Sequence, residues 1–235
     1  MRDRWDINCH IMQCQSQDPY TGKWKEYGKL KGTSKDDFSF TKFSLDMTYF
    51  ENKGRHFLIW AQHSRPEQIS CLYMAEIDPI APWQLISMPM LLTQPEYPWE
   101  KVRFAVNEGP SVLKHDNKIF VCFSASGTGP EYCVGLLEAD ADSEMLDPAS
   151  WKKYDKPLLT SADLPDEFGP GHNSFTVDDQ GRDVFVYHAR SKECYLRMCG
   201  YTCADPLYDP CRHARLQNVI WSKAGTPILN GVMED

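Results

Sequence analysis

Three segments of the chain repeat one pattern at nearly constant spacing, which limits the possible folds more than any other feature. They are LDMTYFENKGRHFLIWA from Leu45, NEGPSVLKHDNKIFVCFSA from Asn107 and GHNSFTVDDQGRDVFVYHA from Gly171. Each opens near a polar or acidic residue and runs into a short apolar strand. Each then turns, at Asn52-Lys53-Gly54, His115-Asp116-Asn117 or Asp179-Gln180-Gly181, and returns as an aromatic-rich strand. Asp46 precedes Glu108 by 62 positions and Glu108 precedes His172 by 64. Self-similarity at a fixed period is the mark of repeated supersecondary units.

The repetition continues past each hairpin. A third strand comes next (ISCLYMAEID, YCVGLLEAD, ARLQNVIW). Less regularly, a fourth edge segment appears after a Pro-containing turn (WQLISMPMLL, WKKYDKPLLT). Four antiparallel strands per unit predict the blades of an all-β propeller, with residues at equivalent inner-strand positions converging on a central axis. The blades are expected at 43–97, 105–160 and 170–230, within a single domain. Residues 1–35 match only the outer two strands of a further blade, with a turn at Asp18-Pro19 comparable to Asp78-Pro79 and Asp147-Pro148. Three and a half blades do not close a ring, since propellers have about four to eight. The expectation is therefore a truncated chain, with Met1 an internal methionine.

A net charge of -8 over 235 residues, without a long basic run, excludes a nucleic-acid partner. No apolar run approaches the roughly 20 residues that cross a bilayer, so no membrane role is expected. The start MRDRWDINCH carries no signal-peptide core. Nine cysteines include the group Cys194, Cys199, Cys203 and Cys211, with His213 close behind. Their gaps of four, three and seven residues differ from the paired Cys-x2-4-Cys spacing of structural zinc sites. Free thiols or one loop disulfide are the expectation.

Convergence on the axis would bring Asp46, Glu108 and His172 into one pocket. A carboxyl group screened by apolar walls holds its proton near neutral pH, and a second carboxylate nearby raises its pKa further. Each residue also has a plainer reading: a solvated strand end for Glu108, a turn cap for Asp46, a loop histidine tying backbone for His172.

FSLDMTYFENKGRHFLIWAQ, VNEGPSVLKHDNKIFVCFSAS, FGPGHNSFTVDDQGRDVFVYHAR and DPLYDPCRHARLQ together resemble glycoside hydrolase family 43, over nearly the whole chain. The likeness is strongest to its arabinan-directed exo-acting α-L-arabinofuranosidases, and DPLYDP and RHAR are the most distinctive wording. The resemblance implies a five-bladed β-propeller lacking, here, its first blade and the inner half of its second. It implies an inverting acid/base hydrolysis of terminal α-L-arabinofuranosyl residues from arabinan or arabinoxylan-type cell-wall polysaccharide. Glu108 matches the general acid and Asp46 the carboxylate that tunes it. His172 matches an axial histidine that binds a calcium or sodium ion largely through water, with no organic cofactor. Arg215 matches an arginine near the substrate pocket. Trp60, Trp99, Phe104 and Tyr187 are candidates for a sugar platform, against a core reading for each.

Inversion needs a general base facing the acid, with the carboxyls roughly 6.5 to 9.5 Å apart. The family places that base on the first blade. Asp3, Asp6 and Asp18 do not sit in its motif, so none takes the role and the chain alone is expected to be inactive or nearly so. β-Xylosidase or endo-arabinanase activity stays open on the same scaffold, as does a non-catalytic glycan-binding propeller. The expected location is extracellular or periplasmic with an upstream signal, cytoplasmic as the sequence stands.

Overall fold

The computed structural model describes residues 10–14, 18, 20–41, 43–66, 69–198 and 206–229. Met1, Asp3, Asp6, Pro19, Cys199 and Cys203 lie outside the described residues. The chain opens with a two-stranded antiparallel sheet of β1 (His10–Cys14) and β2 (Trp24–Lys29). The next sheet holds β3 (Ser44–Asn52), β4 (Arg55–His63), β5 (Ser70–Ile77) and β6 (Met90–Thr93), paired in chain order. A second four-stranded sheet comes after it with β7 (Asn107–His115), β8 (Lys118–Ala125), β9 (Cys133–Asp140) and the short β10 (Lys152–Lys153). The last blade holds β11 (Glu167–Val177), β12 (Asp183–Ser191) and β13 (Arg212–Asn218), with a short helix α1 (Lys192–Tyr195) between β12 and β13. Among the described residues no fourth strand joins it: β14 (Ile220–Trp221) and β15 (Pro227–Ile228) form a separate two-stranded pair. Among the described residues no helix is long and apolar enough to cross a membrane.

Strand alternation explains the stacking, because successive side chains point to opposite faces of a sheet. In β8, Ile119, Val121, Phe123 and Ala125 enter one core with Phe57, Ile59 and Ala61 of β4. Phe120 and Cys122 enter a second core with Phe185, Tyr187 and Ala189 of β12. The other face of β4 supplies Leu58 and Trp60 to a third core, shared with Leu30 and Phe40. The two central sheets are thus apolar on both faces, and strands hydrophobic on both sides are what blade-on-blade packing requires.

A β-bulge interrupts each inner hairpin at the same place. The paired residues Leu45↔Ala61 and Thr48↔Ile59 leave Asp46 and Met47 opposite Trp60 alone. Glu108↔Ser124 and Ser111↔Cys122 leave Gly109 and Pro110 opposite Phe123. Gly171↔His188 and Ser174↔Val186 leave His172 and Asn173 opposite Tyr187. The left-handed residues are Asp46 (φ 56°), Gly109 (φ 54°) and His172 (φ 47°), 63 positions apart in both steps. The spacing of 62 and 64 read from the sequence is therefore corrected: Glu108 is equivalent to Leu45 and Gly171, one residue before the bulge. The offset arises because the middle blade gives its left-handed position to glycine, which adopts it without cost.

Candidate functional site

The three bulges turn their residues toward one cavity of about 280 Å³, whose lining includes Asp46, Thr48, Gly109, Ser111, His172 and Asn173. Bulges commonly re-aim side chains in this way beside active sites. Asp46 Oδ2 accepts a hydrogen bond from the Gly109 amide at 3.0 Å, and Oδ1 lies 3.8 Å from His172 Nε2. The His172 amide donates to Ser124 Oγ at 2.7 Å, and Asn173 donates to Ser111 Oγ. Asp46 and His172 line the cavity together, whereas Glu108 is outside its lining and near enough to both to feel their charge.

Glu108, next in the chain to the cavity residue Gly109, accepts a hydrogen bond on Oε1 from Tyr132 Oη at 2.6 Å. Burial raises the Glu108 pKa above the ordinary carboxylate range. Tyr132 opposes the rise, Asp46 adds to it, and His172 and Arg212 oppose it. Burial also raises Asp46, against His172 and the Gly109 amide. Two interacting carboxyl groups of raised pKa are the combination expected where a proton must be held and given up. Behind Tyr132 stands His188, its ring stacked at a centroid distance of 5.6 Å. Burial first, then Arg212, pushes the His188 pKa down to about 3, so its imidazole is neutral. Tyr132, His188 and Arg212 are site residues that sequence reasoning missed. The RHAR wording was the one available signal for Arg212, and it directed attention to Arg215 instead.

The remaining sequence-predicted site residues separate clearly. Trp60 is 0% exposed, packs against Phe40 and donates Nε1 to Gln62 Oε1, so its expected sugar contact is corrected to a core role. Tyr187 is likewise buried, with its hydroxyl donating to Glu167. Trp99 stacks on Tyr97 and donates to the Asp155 carbonyl. Phe104 is 58% exposed and lies outside the cavity lining. Arg215 is paired with Glu167, whereas the guanidinium that acts on Glu108 is that of Arg212.

Among the described residues, two of the loop cysteines, Cys194 and Cys211, form a disulfide. Among the described residues, no group of three or more His, Cys, Asp or Glu is arranged to hold a metal ion. The axial donors are one imidazole, one carboxylate bonded to an amide, and hydroxyls. That set fits a hydrated ion better than a dedicated calcium cage, which takes about six to eight oxygens.

A family model described as glycosyl hydrolases family 43 matches residues 2–227. The chain is 38% identical over 227 residues to an extracellular exo-α-(1→5)-L-arabinofuranosidase of Streptomyces avermitilis, covering 96% of this chain and 44% of that protein. It is 37% identical over 227 residues to α-L-arabinofuranosidase 43 of Humicola insolens, with 95% and 44% covered. Among solved structures, an α-L-arabinofuranosidase from Lactobacillus brevis superposes with a TM-score of 0.82 at 37% identity, covering 97% of this chain and 66% of that one. A xylan β-1,4-xylosidase from Bacillus halodurans, 15% identical with a TM-score of 0.65, shares the fold. The chain thus spans less than half the length of those two curated relatives.

Proposed function

The chain belongs to glycosyl hydrolase family 43, and from that premise we propose that it carries the acid half of an α-L-arabinofuranosidase site acting on arabinan or arabinoxylan-type polysaccharide. The observation that carries the reading is Glu108: buried, hydrogen-bonded by Tyr132, and raised in pKa beside a second carboxylate. In this reading Glu108 protonates the departing glycosidic oxygen. Asp46, fixed by the Gly109 amide, keeps the Glu108 proton in place and orients the sugar. His172 would hold a hydrated calcium or sodium ion, which would supply a fixed positive charge on the axis. Substrate contact by Phe104 and Arg215 belongs to the same proposal. Breaking the Arg215–Glu167 pair would be a prerequisite for Arg215 to reach a sugar.

An inverting route also needs a base across the pocket. Among the described residues, the carboxylates of this site are Asp46 and Glu108, both assigned other tasks. We therefore expect little or no arabinose release from the 235-residue chain by itself. The test of Glu108 is arabinose release from arabino-oligosaccharides by the natural gene product that carries this sequence. Glu108→Gln is expected to lower kcat by about 10²-fold or more. Undiminished turnover in that variant would sink the assignment. Rapid turnover by the 235-residue chain alone would sink the view that the base lies elsewhere.

A further inference from the structure

The only bond to a Glu108 carboxyl oxygen among the described residues comes from Tyr132, and the neighbours of Tyr132 leave that ring almost no freedom. Tyr132 is 1% exposed. It stacks on His188 with 5° between the ring planes. On Gly171, any Cβ would overlap the Tyr132 ring edge, so the glycine of the inner strand is the space the ring occupies. The stack continues outward: Arg212 Nη1 lies 3.3 Å from His188 Nε2, and Nη2 donates to the Leu207 carbonyl at 2.7 Å. Arg190, 3% exposed, ties the same loop down through Asp209 and the Pro206 carbonyl, both at 2.7 Å. Four strands of the structure and one disulfide-closed loop thus converge on the placement of a single phenol.

We propose that Tyr132 is the positioning residue for Glu108: its hydroxyl fixes Oε1 as the acceptor oxygen and leaves Oε2 to carry the transferable proton. The proposal deepens the reading of Glu108 as proton donor and rests on it. A carbonyl oxygen accepts better than a hydroxyl oxygen, so a phenol donating to Oε1 favours the protonated Glu108 that places its hydrogen on Oε2. Burial and Glu108 itself hold the Tyr132 pKa far above its ordinary value, so the phenol keeps its hydrogen. The groups that face Glu108 are Tyr132 ahead of β9, Asp46 of β3, His172 of β11 and Arg212 of β13. Of these, Tyr132 is the one in direct hydrogen-bond contact, and it favours the ionised form.

The test is a ¹³C-carboxyl NMR titration of Glu108 in the 235-residue chain, which needs no turnover. Tyr132→Phe keeps the ring and removes the donor, so the Glu108 midpoint should rise by about one pH unit. Tyr154→Phe removes a comparable Tyr–Glu bond, to Glu138, and should leave the Glu108 midpoint where it is. A folded Tyr132→Phe with an unchanged midpoint overturns the proposal. If that variant does not fold, the wild-type ¹³Cζ resonance of Tyr132 decides: it must move with the Glu108 midpoint, and a flat resonance through that pH range overturns the contact. Failure of Glu108 as the acid would show instead as undiminished arabinose release by Glu108→Gln, with the titration unaffected.

Discussion

Burial moves Glu108 and His188 in opposite directions, because each resists its own charged form. The folded-state pKa of Glu108 is raised, so its contribution to stability is complete below the unfolded value of about 4.3 and is lost as pH rises through the folded value. Glu108→Gln should therefore raise the melting temperature near pH 7 and change it little near pH 4. Thermal unfolding at the two pH values checks this, and a variant less stable than wild type at pH 7 would contradict it. His188 runs the other way. Its folded pKa of about 3 lies below the ordinary 6.5, so its contribution is present above pH 6.5 and declines as pH falls toward 3. His188→Phe keeps a ring against Tyr132 and should flatten the acid side of the stability profile, as urea midpoints measured between pH 4 and 7 would show. The sequence made Glu108, Asp46 and His172 visible because each lies at or next to the same position of a repeat, Glu108 one residue before it. Tyr132, just ahead of the third strand of its blade, and His188, in the second strand of the next, lie where aromatic residues serve mostly as core, and nothing in the pattern separates a positioning ring from a packing one.

At the scale of elements, the hairpins were legible and the bulges were not. Period-2 alternation and turn residues show where strands run, whereas a bulge adds a single residue that shifts the phase by one. The middle blade hid that shift by placing an acid immediately before a left-handed glycine. Gly109→Ala should cost about 1–2 kcal/mol through its backbone conformation. Its Cβ would meet His172 and Ser124 at 3.4 Å, ordinary contacts that leave the strain in the backbone itself. Urea denaturation measures the loss, and an unchanged midpoint would show that the bulge relaxes freely. The Cys194–Cys211 bond closes a loop of sequence separation 17, which carries the carbonyls that Arg190 and Arg212 bind. Cys194→Ser should cost about 3 kcal/mol. Comparison of the variant with wild type under oxidising conditions tests that figure, and the two should converge once the wild type is reduced. The sequence narrowed these cysteines to thiols or one disulfide, since spacing alone cannot show which sulfurs approach each other.

Across the whole molecule, stability should be graded by how many faces of each blade are covered. The sheet of β7 to β10 lies between two cores, and in β8 every residue from Ile119 to Ala125 is buried. Among the described residues, the last blade is covered throughout on one face and only in places on the other, where Val184 and Arg190 are buried but Leu216 is not. Phe185, Tyr187 and Ala189 point into the shared core, while Ser174, Val186 and Leu216 sit side by side on the opposite face, with Leu216 70% exposed. β13 has no buried residue along its length. Local opening free energies track buried contact, so the least covered strands open first and the core strands open only with the global transition. Native-state hydrogen exchange should accordingly find the amides of β8 and β4 slowest and those of β13 fastest, even though β13 pairs with β12 along seven residues. Equal protection in β8 and β13 would mean that the blades unfold as one unit and that the partly covered face costs nothing. The graded outcome has a functional side. Arg212 stands at the start of β13, so the least protected strand carries the guanidinium that backs His188 and, through Tyr132, the acid.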